Sequence, residues 1–461
     1  MRLRQNSLIF FLIILTGTFL RFYNINHENF WIDETLTFWI ANPRFSLIES
    51  FNNHRSIEQV PYLFNLIIKV YFQLFGYETD NSRYLPAIFS SLSIISISYI
   101  SKQISKNNAY ILTAILISLN IFLISYAQEI RLYSLLVFFI SLTIILYFNY
   151  ENNKKLTTFY IFNLFLLITI FLHPFALILY FSLIICDFKF DKKIKKENIN
   201  KFIIYFITGL ISLIYYLTQY NEQYLTPGWI KPLEMKFFTN YFFSNFFGSR
   251  LMGLIFLLTL ILFIIKNYKE IISDKKLLLI FIFLILSYIL PILYGYLFKP
   301  ILNPRYIIFV IIPILVLISH FTFKINKFKK NLLSIFLILT TAGNLTTEET
   351  FKQFFKERAY FKHDFKNVIN KISNSDEKNY TIILNLEQSN LKNSWDSSIT
   401  NYIDQLSLKL NKILNKRPLT NNIEKTWVIC VHDLNQNQCD NYFNQSKMRI
   451  KLNRIDLIFI N

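Results

Sequence analysis

The sequence predicts an all-α polytopic membrane protein with a small α/β domain in its C-terminal region. Hydrophobic residues make up 53% of the 461 residues, and the chain contains 49 Phe and 28 Tyr. Several runs of about 18 or more mostly apolar residues are long enough to cross a hydrocarbon core of roughly 30 Å. Beyond about residue 346 such runs stop, and Lys, Asn, Asp and Glu become frequent.

About eleven apolar segments are candidate transmembrane helices. The first continues into Arg21-Phe22-Tyr23 without the small residues of a signal-peptidase site, so we expect it to be retained as a helix. The predicted spans are residues 7–22, 83–101, 109–126, 131–149, 157–171, 173–187, 201–219, 249–265, 277–297, 305–323 and 331–345.

The basic residues of the loops predict the orientation. If the N-terminus is cytoplasmic, the Lys-rich stretches 189–201, 266–276 and 324–330 all lie inside, and the opposite loops contain few Lys or Arg. The net charge of +19 therefore reflects topology and attraction to anionic lipid, and it requires no nucleic acid. Because Lys, Asn and Ile are abundant, as in AT-rich bacteria, we expect a bacterial inner or plasma membrane with the C-terminal domain extracytoplasmic.

Two domains are predicted, a transmembrane module over 1–345 and a soluble extracytoplasmic α/β domain over 346–461. Strand-like runs occur at 380–386, 426–431 and 455–460, and helical patterns occur around 348–372 and 399–415. Cys430 and Cys439 lie nine residues apart in this domain. They could form a disulfide in an exported domain or remain two free thiols.

Two long outer loops interrupt the transmembrane pattern, at 23–82 and 220–248. In the first, Asn65, Lys69 and Gln73 recur every four residues, which predicts an interfacial helix over 61–76 with its polar side chains on one face. The second loop is rich in aromatic residues. Trp229 in it could stack on a sugar ring or form part of a buried lid.

The adjacent acids Asp33 and Glu34 lie just beyond the first span, near the depth of the lipid headgroups. They either face water or act on a substrate, because a carboxylate can accept a proton from a reacting hydroxyl. Arg83, Arg131 and Arg305 each lie at the outer end of a predicted span. They could converge on one phosphate through bidentate contacts, or snorkel to the interface without a partner.

Five motifs together resemble the GT-C superfamily of membrane glycosyltransferases, in particular the bacterial branch of the protein O-mannosyltransferase-like group (glycosyltransferase family 39), which includes the lipid A aminoarabinose transferases. The resemblance covers roughly residues 5–320, and the region after 346 is outside it. They are the Asp33-Glu34 pair, the segment from Pro61 to Leu74-Phe75-Gly76, Asn81-Ser82-Arg83-Tyr84-Leu85-Pro86-Ala87, Tyr126-Ala127-Gln128-Glu129-Ile130-Arg131-Leu132-Tyr133 and Asn303-Pro304-Arg305-Tyr306.

The resemblance implies transfer of a single hexosyl or pentosyl group from a polyprenyl-monophosphate carrier to an acceptor on the outer face. It implies that Asp33 is the base and that Glu34 beside it binds the acceptor or a cation. The other candidates for binding substrate or the lipid phosphate are Arg83, Arg131, Arg305, Lys69, Tyr306 and His173. Tyr306 could equally be an interfacial anchor and His173 a structural turn residue. Where relatives carry an acidic residue or His before Pro-Pro, this chain has Glu58-Gln59-Val60-Pro61.

The sequence requires no cofactor. It has neither a Walker nor a Rossmann glycine pattern and contains only 8 Gly. A divalent cation at Asp33 or Glu34 remains open, since carboxylates suit hard cations. The expected partners are a polyprenyl-phosphate-linked sugar donor, a lipid, glycan or protein acceptor, and membrane lipid.

Two alternatives stay open. One is a polyprenyl-linked glycan polymerase or oligosaccharide transferase of the same superfold. The other is a lipid or sugar transporter, which would place ionisable residues inside the spans. The predicted spans are almost free of Asp and Glu, which favours the enzyme.

Overall fold

The structure, a computed structural model, describes residues 2–460 apart from 59, 106, 191–195, 220–229, 231–241, 348–361, 385–388, 419–423, 432–438 and 440–441. Trp229 and most of the second outer loop therefore lie outside the described residues. The helices are α1 Arg2–Phe22, α2 Ile32–Ile40, α3 Leu47–Arg55, α4 Leu63–Phe75, α5 Tyr84–Ile104, α6 Ala109–Ser118, α7 Ile121–Ala127, α8 Tyr133–Asn153, α9 Leu156–Leu172, α10 Leu177–Phe190, α11 Lys196–Gln219, α12 Phe242–Phe247, α13 Arg250–Ser273, α14 Lys275–Leu297, α15 Ile311–Thr322, α16 Lys327–Thr347, α17 Phe365–Ser373 and α18 Ser389–Lys409, with 3-10 turns at Pro174–Ala176 and Pro304–Val310.

The apolar helices form a polytopic membrane bundle. By length and composition, six described segments can cross a membrane, or seven if the bent pair α6–α7 is one span. The six are α5, α8, the part of α11 over Ile199–Thr218, α13, α14 and the segment Pro304–Thr322. Asn6–Phe22, α4 and α9 are shorter apolar helices. Each of the eleven predicted spans coincides with helical structure, but the number that cross the membrane remains a prediction.

The break between α6 and α7 is held by a buried arginine. The two helices are bent by 55° at Leu119–Asn120. The Arg21 guanidinium, fully buried, donates to the carbonyl oxygens of Ile117 at 3.1 Å and Ser118 at 3.3 Å at the end of α6. The Asn120 side chain accepts from the Leu123 N–H at 3.0 Å and caps α7. The helix ends exposed by the break thus find side-chain partners.

A buried charged cluster joins α8, α10, α11 and α14 at their predicted cytoplasmic ends. The Asp187 side chain is fully buried and contacts two hydroxyls and two ammonium groups, those of Tyr147, Tyr205, Lys201 and Lys275. Lys275 also pairs with Glu151 at 2.8 Å. No pattern in the sequence predicted this cluster. Because its members lie near helix termini and pair with one another, we interpret it as a clamp on four helices.

The outer loop 23–82 folds into three helices above the bundle. In α2, the first-turn acids Asp33 and Glu34 suit the positive end of the helix dipole. The predicted interfacial helix forms as α4 and ends at Gly76, whose φ of +94° favours glycine. Of its polar face, Asn65 and Lys69 are buried and Gln73 is exposed, as is the apolar Leu74.

The C-terminal region forms a five-stranded sheet with helices α17 and α18. The strands β1 Asn379–Leu384, β2 Asn415–Lys416, β3 Thr426–Val431, β4 Ser446–Leu452 and β5 Ile455–Ile460 lie in the order β2-β1-β3-β5-β4. Strand β1 pairs in parallel with β2 and with β3. Strand β5 is antiparallel to β3, and β4 is antiparallel to β5. Cys430 and Cys439 form a disulfide. Helix α18 packs directly on α2, the helix that carries Asp33.

Candidate functional site

Asp33 lies at the N-terminus of α2 and is the accessible carboxylate of the site. Its Oδ2 accepts from Arg305 Nη1 at 3.0 Å, and 22% of its side chain is exposed. Among the described residues, its Oδ1 accepts no hydrogen bond. The Arg305 guanidinium lies over the Trp31 ring, 5.0 Å from its centroid. One oxygen of Asp33 is thus held by a cation and the other is open to a reacting group.

Glu34, the next residue, is completely buried and fully engaged. Its carboxylate accepts from Arg83 Nε and Nη2, each at 2.9 Å, from Lys362 Nζ at 2.8 Å and from the Ile130 N–H at 3.0 Å. Burial alone would raise the pKa of Glu34, but Arg83 and Lys362 overcome it and lower that pKa to about 2. Glu34 is therefore ionised and turned away from solvent.

Arg83 differs from the expectation of a phosphate-binding arginine. Besides its two bonds to Glu34, it donates to the backbone carbonyls of Ile25, Glu28 and Asn29. These bonds use all five of its N–H groups, and the side chain is almost wholly buried. Arg83 therefore organises the loop around Glu34 and has no donor left for a phosphate.

Arg131 approaches Asp33 from the segment between α7 and α8. Its Nη1 donates to the Asp33 carbonyl at 3.1 Å, to Thr37 Oγ1 at 2.9 Å and to Glu58 Oε1 at 2.8 Å. Burial would raise the pKa of Glu58, but Arg131 holds it below its ordinary value. Among the described residues, Arg131 Nε is buried without a hydrogen-bond partner, so this arginine retains one unused donor.

Tyr306 and His173 line the same region. The Tyr306 ring lies 5.3 Å from the His173 ring and 6.4 Å from the Tyr133 ring, between centroids. His173 Nδ1 accepts from the Phe175 N–H at 3.2 Å. The ring is thereby fixed at the turn before α10.

Lys69 is used within the loop. Its ammonium donates to the carbonyl oxygens of Asn42 at 2.6 Å and Phe45 at 2.7 Å, and the side chain is buried. These bonds tie α4 to the segment between α2 and α3. The structure thus brings together Asp33, Arg131, Arg305, Tyr306 and His173. It uses Glu34, Arg83 and Lys69 to hold the loop that presents them.

The overall fold is similar to those of solved membrane proteins. ArnT from Cupriavidus metallidurans in the apo state matches with a TM-score of 0.62 at 10% identity, over 100% of this chain and 98% of that chain. The same ArnT bound to undecaprenyl phosphate matches with 0.57 at 10% identity, over 98% and 97%. The Archaeoglobus fulgidus oligosaccharyltransferase tethered with an acceptor peptide matches with 0.53 at 9% identity, over 92% and 69%. The chain has the GT-C fold. No protein-family model matches it, and no curated protein does.

The likeness covers the C-terminal domain as well, which the motif resemblance did not reach. The predicted GT-C architecture, with helices in the membrane and a small C-terminal α/β domain, is therefore confirmed. At this level of identity the comparisons concern the fold alone.

The sequence alone did not predict the roles of three charged residues in this region. Glu58, read only as a departure from the family pattern, is the partner of Arg131. Glu129 lies inside a quoted motif and contacts Lys362 at 3.2 Å. Lys362 comes from the C-terminal domain, 328 residues from Glu34. Of the three, Glu129 had a signal in the sequence, because it lies two residues before Arg131 in the same motif.

The pair Asp33 and Glu34 does not fit a shared cation. Every approach to the Glu34 carboxylate is taken by Arg83, Lys362 and backbone N–H groups. Within the described residues, no group of three or more His, Cys, Asp or Glu side chains is arranged to hold a metal ion. A cation at Asp33 would have to displace Arg305.

Proposed function

We propose that the protein is an integral-membrane glycosyltransferase that transfers a single sugar from a polyprenyl-monophosphate carrier to an acceptor at the outer face of a bacterial membrane. The observation that carries the proposal is Asp33. It is a partly exposed carboxylate with one oxygen free among the described residues, and it lies between Arg305 and Arg131 in a GT-C fold. ArnT has been solved with undecaprenyl phosphate, which supports a carrier of this class.

In the proposed reaction the hydroxyl oxygen of the acceptor attacks the sugar. As it does so, the free oxygen of Asp33 accepts the hydroxyl proton. The bond from the sugar to the phosphate oxygen breaks, and the carrier leaves as a phosphate monoester. Such general-base help contributes typically about 10²- to 10⁴-fold in rate. The orientation of Asp33 is set by Arg305 and by Arg131, which holds its backbone carbonyl.

The departing phosphate gains negative charge, which nearby cations stabilise. Arg305 can shift from Asp33 towards that phosphate, and the unused Nε–H of Arg131 supplies a second donor. Tyr306 and His173 complete a wall with hydrogen-bonding capacity beside these arginines. When Arg305 moves its hydrogen bond from Asp33 to the phosphate, Asp33 is also freed to act as the base.

The test is sugar transfer by the purified, reconstituted protein from a panel of polyprenyl-phosphate sugars to a crude membrane extract. Asp33→Asn is assayed beside the wild type, with Asp80→Asn as a matched control on the same outer loop. We expect Asp33→Asn to lose at least about 10²-fold in rate with an unchanged melting temperature. Full activity of Asp33→Asn would remove Asp33 from the mechanism.

Other outcomes of the same assay address the alternatives. Transfer only from a diphosphate-linked oligosaccharide would favour an oligosaccharide transferase, and transfer from no donor would favour a lipid or sugar transporter. Adding EDTA tests the cation. Because Glu34 is fully engaged, we expect chelation to leave the rate unchanged, and a loss restored by added Mg²⁺ or Mn²⁺ would contradict this.

A further inference from the structure

Lys362 of the C-terminal domain reaches into the outer loop and contacts three carboxylates. Its Nζ lies 2.8 Å from Glu34 Oε2, 3.2 Å from Glu129 Oε1 and 4.0 Å from Glu28 Oε2. Only 14% of the Lys362 side chain is exposed. These carboxylates come from two separate segments, the start of the outer loop and the turn between α7 and α8.

Lys362 supplies one of the two cations of this cluster, which contains three carboxylates. Among the described residues, Arg83 forms a direct salt bridge with Glu34 and with no other carboxylate, while the pKa of Glu129 is raised by burial and by Glu34, against the lowering effect of Lys362. Glu129 Oε2 is buried without a hydrogen-bond partner among the described residues. Removing Lys362 leaves three carboxylates facing one arginine, and a buried charge without a partner is costly.

The two segments that Lys362 joins carry the reacting groups. Glu34 follows Asp33 in the first turn of α2. Its carboxylate accepts a hydrogen bond from the N–H of Ile130, the residue before Arg131. Arg131 in turn donates to the Asp33 carbonyl. A shift of the segment 129–131 away from α2 would therefore change the distance between Arg131 and Asp33.

We propose that Lys362 is a positioning residue for sugar transfer: the C-terminal domain uses it to hold the Asp33 and Arg131 segments in register. The proposal rests on the proposed function, because its readout is the transfer rate. Displacements of about 1 Å near reacting atoms can lower rates by roughly 10²-fold, so a contact outside the reacting atoms can still control kcat.

The experiment compares Lys362→Met, Lys362→Arg and Lys409→Met in the reconstituted full chain. Lys409 is the matched control, since it also pairs the C-terminal domain with the outer loop, through Asp80, but at an exposed site. We expect Lys362→Met to lower kcat by roughly 10- to 100-fold with less than about a twofold change in the KM for the donor. Lys362→Arg should restore most of kcat because it keeps the charge, and Lys409→Met should behave as the wild type.

Unchanged kcat in Lys362→Met overturns the proposal, and so does an equal loss in Lys409→Met. If Lys362→Met melts below the assay temperature, the double variant Lys362→Met, Glu129→Gln replaces it, because it removes one charge of each sign. A normally melting double variant with reduced kcat supports the proposal, and one with full kcat overturns it. A wild type that transfers nothing would count against the proposed function and not against this contact.

Discussion

The two adjacent acids of the outer loop have opposite environments. Successive side chains of a helix point about 100° apart, so the N-terminus of α2 can direct Asp33 outward while Glu34 enters the protein. Asp33 is paired with one arginine and is partly exposed. Glu34 is buried and paired with two cations. The first is suited to chemistry and the second to holding structure.

We expect Glu34→Gln to destabilise the protein strongly, by about 3–5 kcal/mol, because it leaves Arg83 buried without its counter-charge and takes from Lys362 its nearest carboxylate. Asp80→Asn, at an exposed ion pair with Lys409, should cost less than about 1 kcal/mol. Thermal unfolding of the purified proteins in detergent measures both. Equal melting temperatures for the two variants would contradict the assigned role of Glu34.

Acid should weaken the ion pairs that Glu34 forms with Arg83 and Lys362. The folded-state pKa of Glu34, about 2, lies below its ordinary value of 4.5. Its contribution is therefore complete above about pH 4.5 and is lost as the pH falls towards 2. We expect the melting temperature of the wild type to approach that of Glu34→Gln over this interval. A constant difference between the two from pH 6 to pH 3 would argue against it.

The sequence could predict the residues that lie within motifs. Asp33, Arg131 and Arg305 lie together in the structure, and each follows or precedes a span at the same predicted depth. The role of Arg83 could not be read, since nothing local shows that five acceptors surround its guanidinium. Lys362 was equally hidden, because its partners are distant in sequence and follow no periodic pattern.

Among the helices, close packing depends on small residues at the crossings. Gly17 in α1 faces α5 and α6, and a Cβ there would lie 2.5 Å from Ile94 Cδ1 and 2.6 Å from Ser118 Oγ. Helices in membranes often approach one another at such small residues. A Cβ added at Gly343 in α16 would have no atom of another described element within 4 Å.

Gly17→Ala should therefore destabilise the bundle by about 1–3 kcal/mol through overpacking. Gly343→Ala should be neutral or stabilising by up to about 1 kcal/mol, since alanine favours a helix over glycine. Melting temperatures of the two purified variants decide the matter. The prediction fails if Gly17→Ala melts at or above the wild-type temperature.

Element boundaries show where the hydrophobic pattern carries too little information. The continuous apolar run 109–126 predicted one span, yet the structure breaks it at Leu119–Asn120, because Arg21 and Asn120 cap the exposed helix ends. Strand β4 was not predicted. Most of its side chains are exposed or half-buried, so it lacks the apolar run that identified β1, β3 and β5.

For the whole molecule, orientation is the central prediction. The basic loops predict a cytoplasmic N-terminus and an extracytoplasmic C-terminal domain. Cys430 and Cys439 are joined and Cys186 is buried, so among the described residues no native thiol is exposed. An engineered surface cysteine can therefore be labelled selectively.

We expect a membrane-impermeant maleimide to label Lys447→Cys on intact cells and to label Lys329→Cys only after the membrane is opened. Both lysines are exposed, the first on β4 and the second in α16. The reverse pattern would invert the proposed topology. Labelling of both variants in lysed cells controls for reactivity.

The contact between Lys362 and Glu34 has a consequence for biosynthesis. At about 5–20 residues per second, a ribosome needs roughly 15–65 s to add the 328 residues that separate them. Throughout that time the acidic cluster of the nascent chain lacks one of its two cations. A chain whose translation stops between residues 306 and 361 would retain Asp33, Arg131 and Arg305 but would lack the contact of Lys362 that positions them. We expect such premature termination to yield membrane-inserted proteins that do not transfer the sugar from its donor.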